Sequence, residues 1–104
     1  MAERQEVLIS AMRHEAKGIL SFEMVPTLDN NLIPFGAGDH IDVFLRDGLV
    51  RQYSLMNDPK EKNRYQVAVL LERQGRGGSA FVHQTLRVGD VIKVSHPRNN
   101  FKIV

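Results

Sequence analysis

The chain has 104 residues, 42% hydrophobic and 25% charged, which suits one domain with a single core and excludes wholesale disorder. It has no cysteine, so these residues make no disulfide, thiolate nucleophile or cysteine-ligated zinc or iron–sulfur site. Net charge is +2, yet residues 1–50 hold four Lys/Arg against eight Asp/Glu and residues 51–104 hold ten against four, so the second half suits anionic ligands or acidic partners.

Met1-Ala2-Glu3-Arg4-Gln5 is charged and starts no signal-like apolar run. No stretch approaches the ~18 apolar residues of a membrane span. The expectation is a cytoplasmic protein with no membrane association. Val7 to Arg13 reads as a first strand, with Val7, Ile9 and Ala11 alternating against Leu8, Ser10 and Met12. Glu15 to Gly18 is a turn. Ile19 to Val25 is a second strand with Leu20, Phe22 and Met24 on one face. A Pro/Asp/Asn-rich loop follows, then the short apolar run Leu32 to Phe35 and turn chemistry at Gly36 to Asp39. Ile41 to Arg46 is a third strand with Ile41, Val43 and Leu45 on one face, and Asp47-Gly48 is a hairpin signal.

Leu49 to Leu55 is the fourth strand. Arg51, Tyr53 and Leu55 share one face; Gln52 and Ser54 share the other, although a bulge or strand end could bring Ser54 round. A forked cation, an aromatic face and a hydroxyl within four residues would suit a ligand with a phosphate, a sugar-like chain and a planar heteroaromatic ring. The plainer reading is sheet surface with one core tyrosine. Asn57-Asp58-Pro59 ends this strand.

Arg64 to Arg73 is the longest predicted strand, with Tyr65, Val67, Val69 and Leu71 on one face. Gln66, Ala68 and Leu70 form the other, so apolar cover is expected on both sides of its middle. Gly75-Arg76-Gly77-Gly78-Ser79 then leads into a helix from Ala80 to Leu86, with Ser79 as N-cap and Phe81, Val82, Thr85 and Leu86 on its apolar side. Glycines before a helix start let backbone N–H groups approach an anion, and Arg76 and Ser79 add donors. The segment matches neither a Walker A loop nor a Rossmann fingerprint, and its glycines could simply make a turn. Val88-Gly89-Asp90 is a turn and Val91 to Ser95 a sixth strand. Pro97 to Val104 ends the chain, with Phe101 and Ile103 available for packing. Six short strands and one late helix predict an all-β, closed or nearly closed antiparallel barrel in a single domain over residues 1–104.

Taken together, Arg51-Gln52-Tyr53-Ser54-Leu55 with Asn57-Asp58-Pro59, Gly75 to Ser79, Val88-Gly89-Asp90 and Pro97-Arg98-Asn99-Asn100-Phe101 resemble a known domain. It is the flavin-binding domain of the phthalate dioxygenase reductase and vanillate O-demethylase reductase group, in the ferredoxin–NADP reductase superfamily. The resemblance implies a six-stranded antiparallel Greek-key barrel with one short capping helix, binding FMN rather than FAD. It implies that Arg51 meets the flavin phosphate, that Tyr53 packs by the ring and ribityl chain, and that Ser54 bonds near N5 as the catalytic contact. Gln52 and Leu55 flank these on the same strand. Gly75, Arg76, Gly77, Gly78 and Ser79 would bind phosphate, and Ala68, Val69 and Leu70 would meet the ring's pyrimidine edge through backbone groups. Reductases of this group add a nicotinamide-nucleotide domain and a cysteine-ligated [2Fe-2S] domain. NAD(P)H, [2Fe-2S] and a terminal oxygenase are therefore expected as partners of a longer protein, with this chain an excised domain or fragment.

His14, His40, His83 and His96 show no metal-ligand spacing; no metal site is expected, and the four read as surface or structural, His83 being the one placed on the capping helix. Two other readings stay open: a flavin-free barrel that docks a protein partner, and a small barrel binding single-stranded nucleic acid. Against the latter stand the absence of a basic run and the lack of aromatic–basic interleaving, so no nucleic acid is expected.

Overall fold

A computed structural model describes residues 4–27, 31–45, 48–71 and 82–99. Six antiparallel strands form one sheet: β1 (Arg4–Ala16), β2 (Ile19–Pro26), β3 (His40–Phe44), β4 (Val50–Ser54), β5 (Tyr65–Leu70) and β6 (Val91–Ser95). Their spatial order is β4-β3-β6-β1-β2-β5, so β6 returns from the end of the chain to lie between β1 and β3. This is the expected Greek-key arrangement. The sheet curls on itself without closing fully. Its two edges, β4 and β5, meet where the Met56 N–H donates to the Gln66 carbonyl (2.8 Å).

Period-two patterning explains the core. Leu20, Phe22 and Met24 of β2, Ile41 and Val43 of β3, and Tyr65, Val67 and Val69 of β5 are buried, as alternation predicts. β1 departs from it. Its pairing with β2 shifts register between Ile9 and Ala11, so Val7 and Ile9 point inward while Ala11 is exposed and Met12 packs against the core. A bulge inserts one residue into one strand and flips every side chain beyond it, which alternation alone does not foresee. β1 also runs three residues further at each end than the predicted Val7–Arg13. Among the described residues nothing gives β5 the expected outer cover: Ala68 is exposed, and Leu70 is 58% exposed.

Turns carry the backbone shapes that their glycines permit. Gly48 (φ +78) lies in the β3–β4 hairpin, and Gly89 (φ +96) in the turn entering β6, where its N–H donates to the Ile9 carbonyl. Residues 82–84 are helical, and Val82 and Leu86 are buried in the core beneath this turn. Thr85, expected on the same apolar side, is exposed. Ser79, Phe81, Phe101 and Ile103, read from sequence as an N-cap and packing residues, lie outside the described residues. Among the described residues no helix is long and apolar enough to cross a membrane.

Candidate functional site: the seam between β4 and β5

The site begins with the register of β4. Val50 to Phe44 and Ser54 to His40 bound its pairing with β3. Burial alternates along it: Arg51 and Tyr53 are half-buried, Gln52 and Ser54 are exposed, and Leu55 is buried. The two faces read from the sequence are therefore the two faces present. Tyr53 packs against the core and meets Phe22 edge-to-face, with ring centroids 6.5 Å apart and planes at 87°. Arg51 Nη1 donates to the carbonyl of Val50 (2.7 Å). Ser54 closes the strand with its side chain on the outer face.

Backbone direction is as informative as side-chain direction. The Leu55 N–H donates to Asp39 across to β3 (2.9 Å), whereas the next N–H, Met56, points to β5. Antiparallel backbone groups alternate sides, so the peptide groups of Gln52 and Ser54 face the seam. On β5 the Gln66 N–H and carbonyl both face β4, and the Leu71 N–H faces the β1–β2 turn. By the same alternation Ala68 and Leu70 turn their peptide groups to the seam, and Val69 turns its own toward β2. The seam is thus bordered by the outward peptide groups of two strand edges, with the half-buried Tyr53 on β4 packed against the core.

One end of the seam is clasped by Asn57. This buried side chain donates through Nδ2 to the Arg64 carbonyl (2.9 Å) and accepts through Oδ1 from the Gln66 N–H (3.0 Å). In the sequence Asn57 marks a strand end and part of the motif set behind the family resemblance; an Asn preceding Asp-Pro carries no mark of a cross-strand clasp. Beside it, Arg64 bridges Glu23 and Glu61. Hydrogen bonding from Arg64 holds the Glu23 carboxyl below its ordinary value, against the opposing effect of partial burial. His83 Nε2 donates to the Val69 carbonyl (2.9 Å), tying the helical turn to β5.

The run Pro97–Asn99 is anchored to β3. Arg98 Nη2 donates to both carboxylate oxygens of Asp42 (2.7 Å each), and the Arg98 backbone exchanges hydrogen bonds with His40. His40 is buried, and its Nε2 has no hydrogen-bond partner among the described residues. A separate groove of about 500 Å³, bordered by Pro34, Phe35, Pro59 and Tyr65, contains none of the residues expected from sequence to contact a flavin.

The structure brings Arg51, Gln52, Tyr53, Ser54 and Leu55 together with Ala68, Val69 and Leu70 across one seam. Gly75, Arg76, Gly77, Gly78 and Ser79 lie outside the described residues.

Comparison with known proteins bears on the same region. The model of the oxidoreductase FAD-binding domain family matches residues 12–103. The chain is 48% identical over 98 residues to a vanillate O-demethylase oxidoreductase of Pseudomonas sp. (strain HR199 / DSM 7063), covering 94% of this chain and 31% of that protein. It is 39% identical over 89 residues to the phthalate 4,5-dioxygenase oxygenase reductase subunit of Pseudomonas putida, covering 86% of this chain and 28% of that protein. Among solved structures it superposes on phthalate dioxygenase reductase with a TM-score of 0.89 at 38% identity, over 97% of this chain and 32% of that one. That reductase is described as a modular structure for electron transfer from pyridine nucleotides to [2Fe-2S]. The chain therefore spans under a third of the length of these relatives.

Proposed function

The chain belongs to the oxidoreductase FAD-binding domain family, and from that premise we propose that it holds one flavin, as FMN, along the β4–β5 seam. There it serves as the flavin-bearing electron-transfer unit of an oxygenase reductase. The observation that carries this reading is the seam itself. Two strand edges present outward peptide groups beside a half-buried aromatic ring, a guanidinium and an exposed hydroxyl.

The donor set fits the group. Arg51 supplies a forked cation for a phosphate, which an uncharged ligand would not need. Tyr53, held edge-on by Phe22, supplies a flat wall for a ring or its side chain. The peptide groups of Ala68 and Leu70 supply donors and acceptors suited to a pyrimidine edge. Ser54 supplies a hydroxyl at the outer rim. Gly77, Gly78 and Ser79 are assigned to the phosphate through backbone N–H groups at the helix start.

A bound flavin supplies the capacity to accept a hydride and release electrons one at a time. The chain's own residues bind it, orient it and shield one side of it from water. FMN is the flavin implied by resemblance to the phthalate dioxygenase reductase group, whereas the family's name carries FAD. In the longer protein, electrons would come from NAD(P)H and leave to a [2Fe-2S] centre and an oxygenase component. We place that protein in the cytoplasm.

The test is direct. The purified chain, supplied with equimolar FMN and FAD, is desalted, and its absorption and the mass of the retained flavin are measured. A yellow protein retaining FMN supports the proposal. Retention of FAD corrects the cofactor, and a colourless protein that takes up neither overturns the function.

A further inference from the structure

His40 opens β3 directly across from Ser54. The adjacent pair, Leu55 and Asp39, is joined by a backbone hydrogen bond of 2.9 Å. His40 and Ser54 are therefore the non-hydrogen-bonded pair, whose Cα atoms stand about 4.5 Å apart and whose side chains approach most closely. The backbone of His40 is turned away from β4 and bonds to Arg98 in both directions, at 2.9 and 3.0 Å. Only 6% of His40 is exposed, and its Nε2 is buried with no hydrogen-bond partner among the described residues. Buried polar atoms are nearly always partnered, so an orphan beside the proposed binding seam points to a contact completed on binding.

The neighbouring groups do not supply that contact. Arg98 and Asp42 satisfy one another, and Arg98 Nη1 donates to Ser95 Oγ (3.2 Å). Ser54 is the polar side chain opposite it, and directly opposed Cβ atoms stand about 4.5–5.5 Å apart, a separation that a serine hydroxyl and an imidazole can bridge on reorientation.

We propose that His40 is a positioning residue for Ser54: with flavin in the seam, its Nε2–H donates to Ser54 Oγ and fixes the hydroxyl proton toward the ring. This rests on the flavin reading above. A serine hydroxyl has one proton and two lone pairs, and unaided it samples three staggered positions. Accepting from His40 removes that freedom and leaves its own proton to donate outward. An oriented dipole at the atom that receives the hydride needs no rearrangement when charge develops there.

The imidazole nitrogens of ¹⁵N-labelled chain are observed by NMR, with and without FMN. FMN is expected to move the His40 Nε2 resonance, and Ser54→Ala to abolish that movement while FMN still binds by fluorescence quenching. His40→Gln, whose amide nitrogen lies near the Nε2 position, is expected to keep the flavin's visible bands. His40→Phe is expected to shift those bands and to slow reduction by an N-alkyl dihydronicotinamide, which needs no nucleotide-binding domain, about threefold, the factor for one usable rotamer in three. An Nε2 resonance unmoved by FMN, or moved equally in Ser54→Ala, overturns the proposal. If the chain binds no flavin, the proposed function fails. The proposal, which rests on it, then falls with it, whereas a chain that binds FMN and leaves Nε2 unmoved overturns the proposal alone.

Discussion

At the scale of single residues, the face pattern of β4 puts the residues proposed to bind and the residue proposed to act in catalysis on opposite faces. Arg51 and Tyr53 lie on the half-buried face and Ser54 on the exposed one. If Arg51 pairs with the flavin phosphate, Arg51→Ala should weaken FMN binding by about 1.5–3 kcal/mol, the range for a charge-assisted hydrogen bond. Riboflavin has no phosphate and should lose much less. Titrating both ligands into both proteins measures the difference; equal losses would remove Arg51 from the phosphate site. Arg51, Tyr53 and Ser54 were legible in sequence because a two-residue period fixes which side chains share a face. His40 was not. Its importance comes from lying opposite Ser54 and under the return of Arg98, and both contacts span long stretches of chain.

At the scale of elements, the six strands were legible because their apolar residues alternate, and their order was not, because alternation carries no pairing information. The bulge in β1 and the Asn57 clasp were invisible for a related reason: both exist only between strands. The clasp matters most, since β4 and β5 are the two edges of an unclosed sheet. Asn57→Ala removes two hydrogen bonds and leaves the Arg64 carbonyl and Gln66 N–H unpartnered at a buried position. The expected loss is roughly 2–4 kcal/mol by urea unfolding; a loss below about 0.5 kcal/mol would mean that water replaces the side chain freely. The neighbouring Glu23–Arg64 pair links β2 to β5 and predicts acid sensitivity. The Glu23 carboxyl is held below 4.5, chiefly by hydrogen bonding from Arg64. A depressed carboxylate contributes stability that is present above its unfolded value and lost as pH falls through its folded one. Melting curves should therefore fall below pH 4.5 and fall less steeply in Glu23→Gln; identical slopes would show the pair to be energetically idle. Tyr65 sets the other limit. Burial pushes its phenol above 10.0, so its contribution is complete below that value and lost as pH rises through the raised one.

At the scale of the whole molecule, the barrel lacks closure along the seam assigned to the flavin. The seam-facing peptide groups of Gln52, Ser54, Ala68 and Leu70 suit a ligand that would bridge the two edges as a strand would, without supplying a strand. These 104 residues contain no Rossmann fingerprint and no cysteine, so they alone should oxidise NADH negligibly even when loaded with FMN; brisk turnover in a simple absorbance assay would contradict a division of labour with further domains. Ligand bridging also makes a more local forecast. FMN at a hundredfold excess over its dissociation constant adds about 2.7 kcal/mol, which for a domain of this size raises the melting temperature by roughly 10–20 °C. A thermal shift alone would not locate the ligand, but hydrogen exchange would. The N–H groups of Gln52, Ser54, Ala68 and Leu70 face the seam, while those of Tyr53, Val67 and Val69 face β3 or β2, where the sheet already bonds them. Adding FMN should slow exchange in the first set and leave the second nearly unchanged. Slowing spread evenly over both would indicate general stiffening of the barrel. Slowing confined to the groove beside Pro34 and Pro59 would move the flavin out of the seam altogether.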